Sequence, residues 1–300
     1  MIIGSNVAIP KNSCYKDRAY RQPRGGFMHI EELNYEDRDT QAQVIRYLAP
    51  HESYALFLLG NLKSDFPGAH LYAAVENGRW FGVAGYYESY LAVSLFTENA
   101  TASRELIRRI AIQHPKICFL SGAEPSAGPA CDALHSMGYQ ILADPQLTFM
   151  ELIGQPPLQE AEKLCRPFRE EDTTRIVELL RHLHNHPDAN QTTDADLDNI
   201  RNTYLRHVLI HQGQVVSTAS TNGMGIHAFQ ILGVATDESC RRRGFATAVC
   251  ASVIREMSWR GATRCVLFTE RDNIPAQRCY LRMGFRMTGY FYLARFQPPV

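Results

Sequence analysis

Apolar and polar positions alternate at two periods along this chain. Residues 40–48 carry apolar side chains at helical spacing and stop at Pro50, and residues 53–62 form a second helix-like apolar stretch. Dense apolar runs at 71–75 and 80–86 flank Glu76-Asn77-Gly78-Arg79, whose Asn-Gly pair predicts a tight hairpin turn. The pattern then predicts a strand over 90–96, a helix over 102–112, a strand over 117–121 and a helix over 129–137.

A polar stretch over 154–163, interrupted by Pro156-Pro157, reads as a linker. Beyond it, Cys165-Arg166-Pro167-Phe168 opens a second series. Glu170, Glu171, Asp172 and Thr173 supply capping groups and early acids for a helix running to Leu183. A helix over 194–205 follows, then a meander of strands at 208–210, 215–219 and 228–236. A helix over 247–260, with Val249, Val253, Ile254 and Met257 on one face, precedes a strand over 265–269, a helix over 274–283 and a last strand over 288–296.

The second series repeats the first. Residues 129–139 align without gaps on 275–285, at a constant offset of 146, and the turn at 76–79 has its counterpart in His211-Gln212-Gly213-Gln214. Such a repeat implies two copies of one fold; the alternative is chance similarity between two amphipathic helix ends. The expected organisation is a tail over 1–27, a first copy over 28–153, a linker over 154–163 and a second copy over 164–300. The tail holds Lys11, Lys16, Arg18, Arg21 and Arg24 against Asp17 alone. Either Met28 is the true start, or the tail is a basic arm for an acidic partner.

Composition narrows the function classes. Lys+Arg and Asp+Glu both number 31, which disfavours a nucleic-acid binder working by bulk charge. There is no apolar run long enough to span a bilayer and no signal-peptide pattern, so neither membrane nor secretion is expected. The 8 cysteines form no C-x-x-C pair and sit mostly in apolar patterns, which fits free thiols in a reducing cytoplasm. His182, His184 and His186 precede Pro187; on a helix alternate positions diverge, whereas in an extended loop two of them could converge, and the expectation is no metal site.

The chemistry concentrates at Arg241-Arg242-Arg243-Gly244-Phe245-Ala246, the turn from a strand into a helix. A helix N-terminus leaves backbone N–H groups without intrahelical partners and carries partial positive charge. Gly244 and Ala246 place almost no side chain there, and the arginines add fixed charge. The result is a cradle for a phosphate or pyrophosphate; taken alone, it also reads as a solvated basic turn. After the next strand comes Asn273-Ile274-Pro275-Ala276-Gln277-Arg278-Cys279-Tyr280-Leu281-Arg282-Met283-Gly284-Phe285.

These two stretches resemble the GNAT superfamily of acyl-CoA-dependent N-acyltransferases, matching its Gln/Arg-x-x-Gly-x-Gly/Ala loop and its Asn-x-x-Ala-x-x-x-Tyr-x-x-x-Gly-Phe segment. The resemblance is strong from Cys165 to Phe296 and weak before that. It implies an α/β (α+β) chain of two tandem GNAT-like lobes, each a mixed, mostly antiparallel sheet flanked by helices. It further implies an N-acetyltransferase that uses acetyl-CoA, without a metal, to acetylate an amine acceptor of a small molecule or peptide. The alternative is a non-catalytic acyl-CoA sensor or scaffold.

By the same resemblance, Tyr280 is the general acid, and Arg241, Arg242, Arg243, Gly244, Phe245 and Ala246 hold the pyrophosphate. Val234 and Thr236, on the strand ending Gly233-Val234-Ala235-Thr236, offer backbone groups to the pantetheine arm. Asn273 and Ala276 lie at the second motif, where Asn273 caps a helix, contacts CoA, or does both. Gln230 stands where some relatives carry a carboxylate base, so a water relay is expected, with Glu238 and Glu270 as weaker candidates. His182, His184, His186 and Asp188 border the expected acceptor pocket. Arg242 departs from the glycine common at its position.

The first copy lacks this chemistry. Thr97-Glu98-Asn99-Ala100 replaces the cradle, Leu134 stands at the position of Tyr280, and Ala127 at that of Asn273. It is expected to be structural or else to shape the substrate entrance, to share an interface with the second copy, and to be needed for the second copy's solubility.

Overall fold

The computed structural model describes residues 27–63, 68–143, 146–183, 193–201 and 203–299. The sequence-predicted tail lies almost wholly outside them. The first series is β1 (His29–Leu33), α1 (Arg38–Leu48), α2 (Leu56–Lys63), β2 (Ala69–Glu76), β3 (Arg79–Tyr87), β4 (Ala92–Thr97), α3 (Ala100–Gln113), β5 (Phe119–Ala123), α4 (Ala127–Ser136), β6 (Gln140–Ala143) and β7 (Gln146–Ile153). The second is β8 (Cys165–Pro167), α5 (Thr173–Leu183), α6 (Asp194–Arg201), β9 (Arg206–His211), β10 (Gln214–Met224), β11 (Ala228–Thr236), α7 (Phe245–Trp259), β12 (Arg264–Thr269), α8 (Ile274–Arg282) and β13 (Arg286–Gln297).

The chain forms two compact units that are discontinuous in sequence. The first takes the described parts of Met1–Val44, Pro67–Pro145 and Tyr292–Val300; the second takes those of Ile45–Phe66 and Gln146–Phe291. In the first, β1-β2-β3-β4 is an antiparallel meander and β5 runs parallel to β4. Helices α3 and α4 bury Leu106, Ile110 and Leu134 against Tyr72, Val93 and Phe296. In the second, β8-β9-β10-β11 is antiparallel, β12 is parallel to β11, and β7 pairs antiparallel with β12. One face carries α7, packed through Val249, Val253 and Met257 against Leu209, Phe229 and Ile231. Ile176 and Leu180 of α5 pack with Val208 and Ala235 on the other.

The contiguous boundaries expected from the sequence therefore do not match the compact units. β7 closes the first copy in sequence, yet it lies in the second unit, opposite β12. The end of β13 closes the second copy, yet it lies in the first unit, where Arg295 pairs with Ala143 and Gln297 with Gln140 of β6. A strand's backbone partner is not encoded in its own alternation of apolar and polar positions.

The repeat is visible in the backbone. The two hairpin turns are left-handed at matched positions, with φ of 52° and 72° at Asn77 and Gly78 and 52° and 77° at Gln212 and Gly213. Helices α4 and α8 end alike. Tyr139 N–H donates to Leu134 O and Phe285 N–H to Tyr280 O, both at 3.1 Å, and φ is 91° at Gly138 and 94° at Gly284.

Candidate functional site

The cradle forms at the end of β11. Asp237 caps a short turn by accepting from Ser239 N at 3.0 Å, and is itself held by the guanidinium of Arg175. Arg241 is extended, whereas Arg242 adopts φ 64° and Gly244 φ 79°. Both lie in the left-handed region that favours glycine. The glycine common at the Arg242 position would sit there without strain, and Arg242 trades that freedom for charge.

Helix α7 begins at Phe245. The first intrahelical bond is Ala248 N to Gly244 O at 2.9 Å, and no side chain caps the helix. The N–H groups of Phe245, Ala246 and Thr247 therefore point out of the helix end. A Cβ placed on Gly244 would meet no protein atom within 4 Å, so the space in front is open. All three arginines are exposed; Arg241 pairs with Glu238 at 3.0 Å and Arg243 lies 5.3 Å from the Phe245 ring centroid.

An open cavity of about 300 Å³ borders this end, lined by Arg243 and Gly244 and by Gln159, Glu160, Ala161 and Leu164 among others. The stretch read as a linker is thus one wall of the cleft. It is docked on α7 by Arg255, which donates to Glu162 at 2.6 Å, Gln155 at 3.0 Å and Pro156 O at 3.1 Å.

The corresponding helix end in the first unit is closed. Asn99 caps α3 by accepting from Ala102 N at 2.8 Å, and Glu98 pairs with Arg79 at 2.6 Å. An anion there would meet a filled cap and a carboxylate.

Strands β11 and β12 pair only from Ala228/Arg264 to Gln230/Val266, although they run on to Thr236 and Thr269. Past Gln230 they part. On its other side β11 is bulged: Ser220 pairs with Leu232 but Thr218 with Ala235, so β11 carries one extra residue. Gly233 sits in that bulge at φ 61°. The bulge turns the backbone of Gly233 and Val234 out of the ladder, where the strands have parted. The Thr236 hydroxyl bonds Ser217 at 2.7 Å.

Asn273 caps α8 by accepting from Ala276 N at 3.2 Å. Helix α8 lies against the start of α7, with Thr247 Oγ1 and Cys279 Sγ 3.2 Å apart. Tyr280 is buried beside Cys250 and Cys265, and no side-chain hydrogen bond to its hydroxyl is found among the described residues. Burial, reinforced by the neighbouring thiols, pushes its pKa well above the ordinary tyrosine value.

Gln230 is buried and accepts from Asn222 at 3.0 Å, so it is no proton acceptor. Glu238 is exposed and paired with Arg241. His184, His186, Asp188 and the His182 side chain lie outside the described residues.

Two buried charged groups escaped the sequence reading. Glu52 accepts backbone N–H bonds from Ile226, His227 and Ala228, and Arg206 lies beneath the bulge of β11. The only sequence signal for Arg206 is a cation inside a buried strand run.

Residues 165–285 match the family model of the acetyltransferase (GNAT) family. This stretch resembles a GNAT-family acetyltransferase domain, and the chain shares its mixed α/β fold with GNAT proteins of known structure. A Drosophila protein of known structure matches with a TM-score of 0.62 at 12% identity, over 90% of this chain and 99% of that one. A tandem GNAT protein from the clavulanic acid biosynthesis pathway matches with a TM-score of 0.55 at 13% identity, over 91% and 100%. A GCN5-related N-acetyltransferase from Sphaerobacter thermophilus matches with 0.54 at 16% identity, over 83% and 93%. At these identities the likeness is one of fold. No curated protein matches the sequence. None of the described helices is long and apolar enough to cross a membrane.

Proposed function

We propose that the second unit is an N-acetyltransferase that moves an acetyl group from acetyl-CoA to an amine by direct attack. The observation that carries this reading is the contrast between two equivalent helix ends: α3 is capped by Asn99, whereas α7 is left open behind Gly244, at the end of a bulged strand parted from its neighbour.

The residues present fit acetyl-CoA. The N–H groups of Phe245 to Thr247, with Arg241, Arg242 and Arg243, would hold the pyrophosphate. The backbone of Val234 to Thr236 would meet the pantetheine arm where β11 leaves β12, with Asn273 and Ala276 bordering it from α8. When bound, acetyl-CoA supplies the activated acyl group. Tyr280, kept protonated by burial, holds a proton at its hydroxyl for the departing sulfur. With Gln230 in place of an acid, the amine's proton leaves through water rather than to a protein base.

Calorimetric titration of the full chain with acetyl-CoA tests this, together with a free-thiol assay over a panel of amines. The expected result is one site per chain, lost in Gly244→Glu, with thiol release on adding an amine. Two equivalent sites, or affinity that survives Gly244→Glu, would refute it. Binding without turnover for any amine would instead indicate a non-catalytic acyl-CoA sensor.

A further inference from the structure

Arg206 is a buried cation without a counter-charge. It is 6% exposed; Nη1 donates to Thr218 Oγ1 at 3.2 Å and Nη2 to Thr203 Oγ1 at 3.4 Å, while Nε has no partner. No carboxylate lies within ion-pair distance of it among the described residues. Among the described residues the other buried charges of this unit are answered, Asp172 by Arg166 and Glu52 by three backbone N–H groups. Burial pulls the pKa of Arg206 down only to about 10, so the group is cationic at neutral pH. A desolvated guanidinium bonded only to neutral hydroxyls is costly, and the cost is relieved when an anion arrives.

The position of this charge is specific. Cross-strand partners share a face of the sheet, and Arg206 pairs with Ser220, which pairs with Leu232. The arginine therefore lies across the small residues of β10 toward the bulge. Its Nη1 stands 3.7 Å from where a Cβ of residue 233 would be, a point also approached by Ser220 Oγ and Leu180 of α5. Leu232, on that face of a central strand, is 47% exposed, so the sheet opens to solvent one strand beyond Ser220.

We propose that Arg206 is the binding group for a substrate carboxylate, held over Leu232 beside the bulge at Gly233. The inference rests on the acyl-transfer reading, because β11 is then the strand at which the acyl group is transferred. The carboxylate has two possible carriers: the acceptor, as an amine bearing a carboxylate such as an amino acid, or the acyl chain, as in a dicarboxylic acyl-CoA. A planar guanidinium suits either, since it meets a carboxylate through two parallel N–H bonds.

The test uses the full chain as wild type, Arg206→Met and Arg206→Lys. Turnover with acetyl-CoA is compared between amino acids and their carboxamides, and turnover with a neutral amine is compared between acetyl-CoA and succinyl-CoA. Thermal unfolding is followed with and without the same amino acids and carboxamides.

The expected result is that one carboxylate-bearing partner exceeds its neutral counterpart by about 10–100-fold in kcat/KM, the scale of one charged hydrogen-bonded pair. Arg206→Met should erase this preference and leave acetyl-CoA affinity unchanged, and Arg206→Lys should keep part of it. Without ligand, Arg206→Met should melt no lower than wild type, because an apolar isostere removes the burial penalty.

Equal use of charged and neutral partners by the wild type, or a lower melting temperature in Arg206→Met with no carboxylate-dependent stabilisation of the wild type, would make Arg206 structural and overturn the proposal. If no amine is acetylated, yet amino acids raise the melting temperature of the wild type and not of Arg206→Met, the carboxylate site stands and the acyl-transfer reading fails.

Discussion

Glu52 and Ala228 are 176 residues apart in the chain, yet the Glu52 carboxylate accepts the Ala228 N–H at 2.8 Å. The same oxygen accepts from His227 at 2.6 Å and from Ile226. Ile226 and His227 lie in the turn after β10, and Ala228 opens β11, the strand that carries the bulge. A segment of the first copy thereby holds the turn of the second. Glu52→Ala would leave the N–H groups without this acceptor and should destabilise the protein by about 2–4 kcal/mol. Denaturant unfolding of the variant measures this; a loss below half a kcal/mol would mean water replaces the carboxylate. Gly225 is part of the arrangement, since a Cβ there would collide with Glu52 Oε1.

The placement of β7 leads to a second prediction. Phe149, Met150 and Leu152 are buried, and β7 pairs with β12 along its length. A truncated chain starting at Ala161 retains both sequence motifs but loses β7 and the Glu52 segment. It exposes a backbone edge of β12 and an apolar patch, and it should aggregate. Size-exclusion chromatography and circular dichroism of 161–300 decide the point. A soluble, cooperatively folding fragment with full acetyl-CoA affinity would show the second copy to be self-sufficient.

The sequence made some of this legible and hid the rest for physical reasons. The Asn77-Gly78 and Gln212-Gly213 turns, the span of β11 and the open end of α7 are local: a few residues determine each, and each was readable. The helix expected over 53–62 begins only at Leu56, and that over 194–205 ends at Arg201; helix ends are the least determined part of a periodic pattern. Which strands β7 and β13 pair with depends on residues far away in the chain, which no local pattern encodes. Glu52 and Arg206 were missed because a lone charge acquires meaning only from what surrounds it. The role assigned to Tyr280 came from its place in a motif, and the structure adds its burial and its thiol neighbours.

Asp172 links pH to stability. Its buried carboxylate is penalised by desolvation, but two bonds from Arg166, at 2.7 and 2.8 Å, and one from Arg169 N at 2.8 Å more than offset this, so its pKa lies below the ordinary value. For an acid with a depressed folded pKa, the stabilisation is complete above the unfolded value, near ~3.9. It is lost as pH falls through that value toward the folded one. Asp172→Asn should cost about 2 kcal/mol at neutral pH, less than a fully buried pair because Arg166 is partly exposed. The gap between variant and wild type should close as the pH drops below about 4. Urea unfolding at neutral pH and near pH 3 would show it, and a gap independent of pH would assign the cost to packing.

The Tyr280 hydroxyl decides whether the site turns over as proposed. Tyr280→Phe removes that oxygen and keeps the ring, which packs at a centroid distance of 5.7 Å from Phe285. No hydrogen bond to the hydroxyl is lost among the described residues, so stability should change little. If the hydroxyl donates its proton chiefly in the transition state, the single-turnover rate should fall by about 10²–10⁴-fold while acetyl-CoA affinity stays constant. Because burial raises the tyrosine pKa, the wild type should keep its donor throughout neutral and mildly alkaline pH. Its single-turnover rate should then show no decline from tyrosine ionisation below the ordinary value near ~10. Single-turnover measurements matter here, since slow product release would mask the effect in steady-state kcat. A modest loss of affinity together with a large rate loss would mean the hydroxyl also bonds the sulfur before reaction. An unchanged single-turnover rate and unchanged affinity would make Tyr280 a packing residue, like Leu134 at the equivalent place in the first copy.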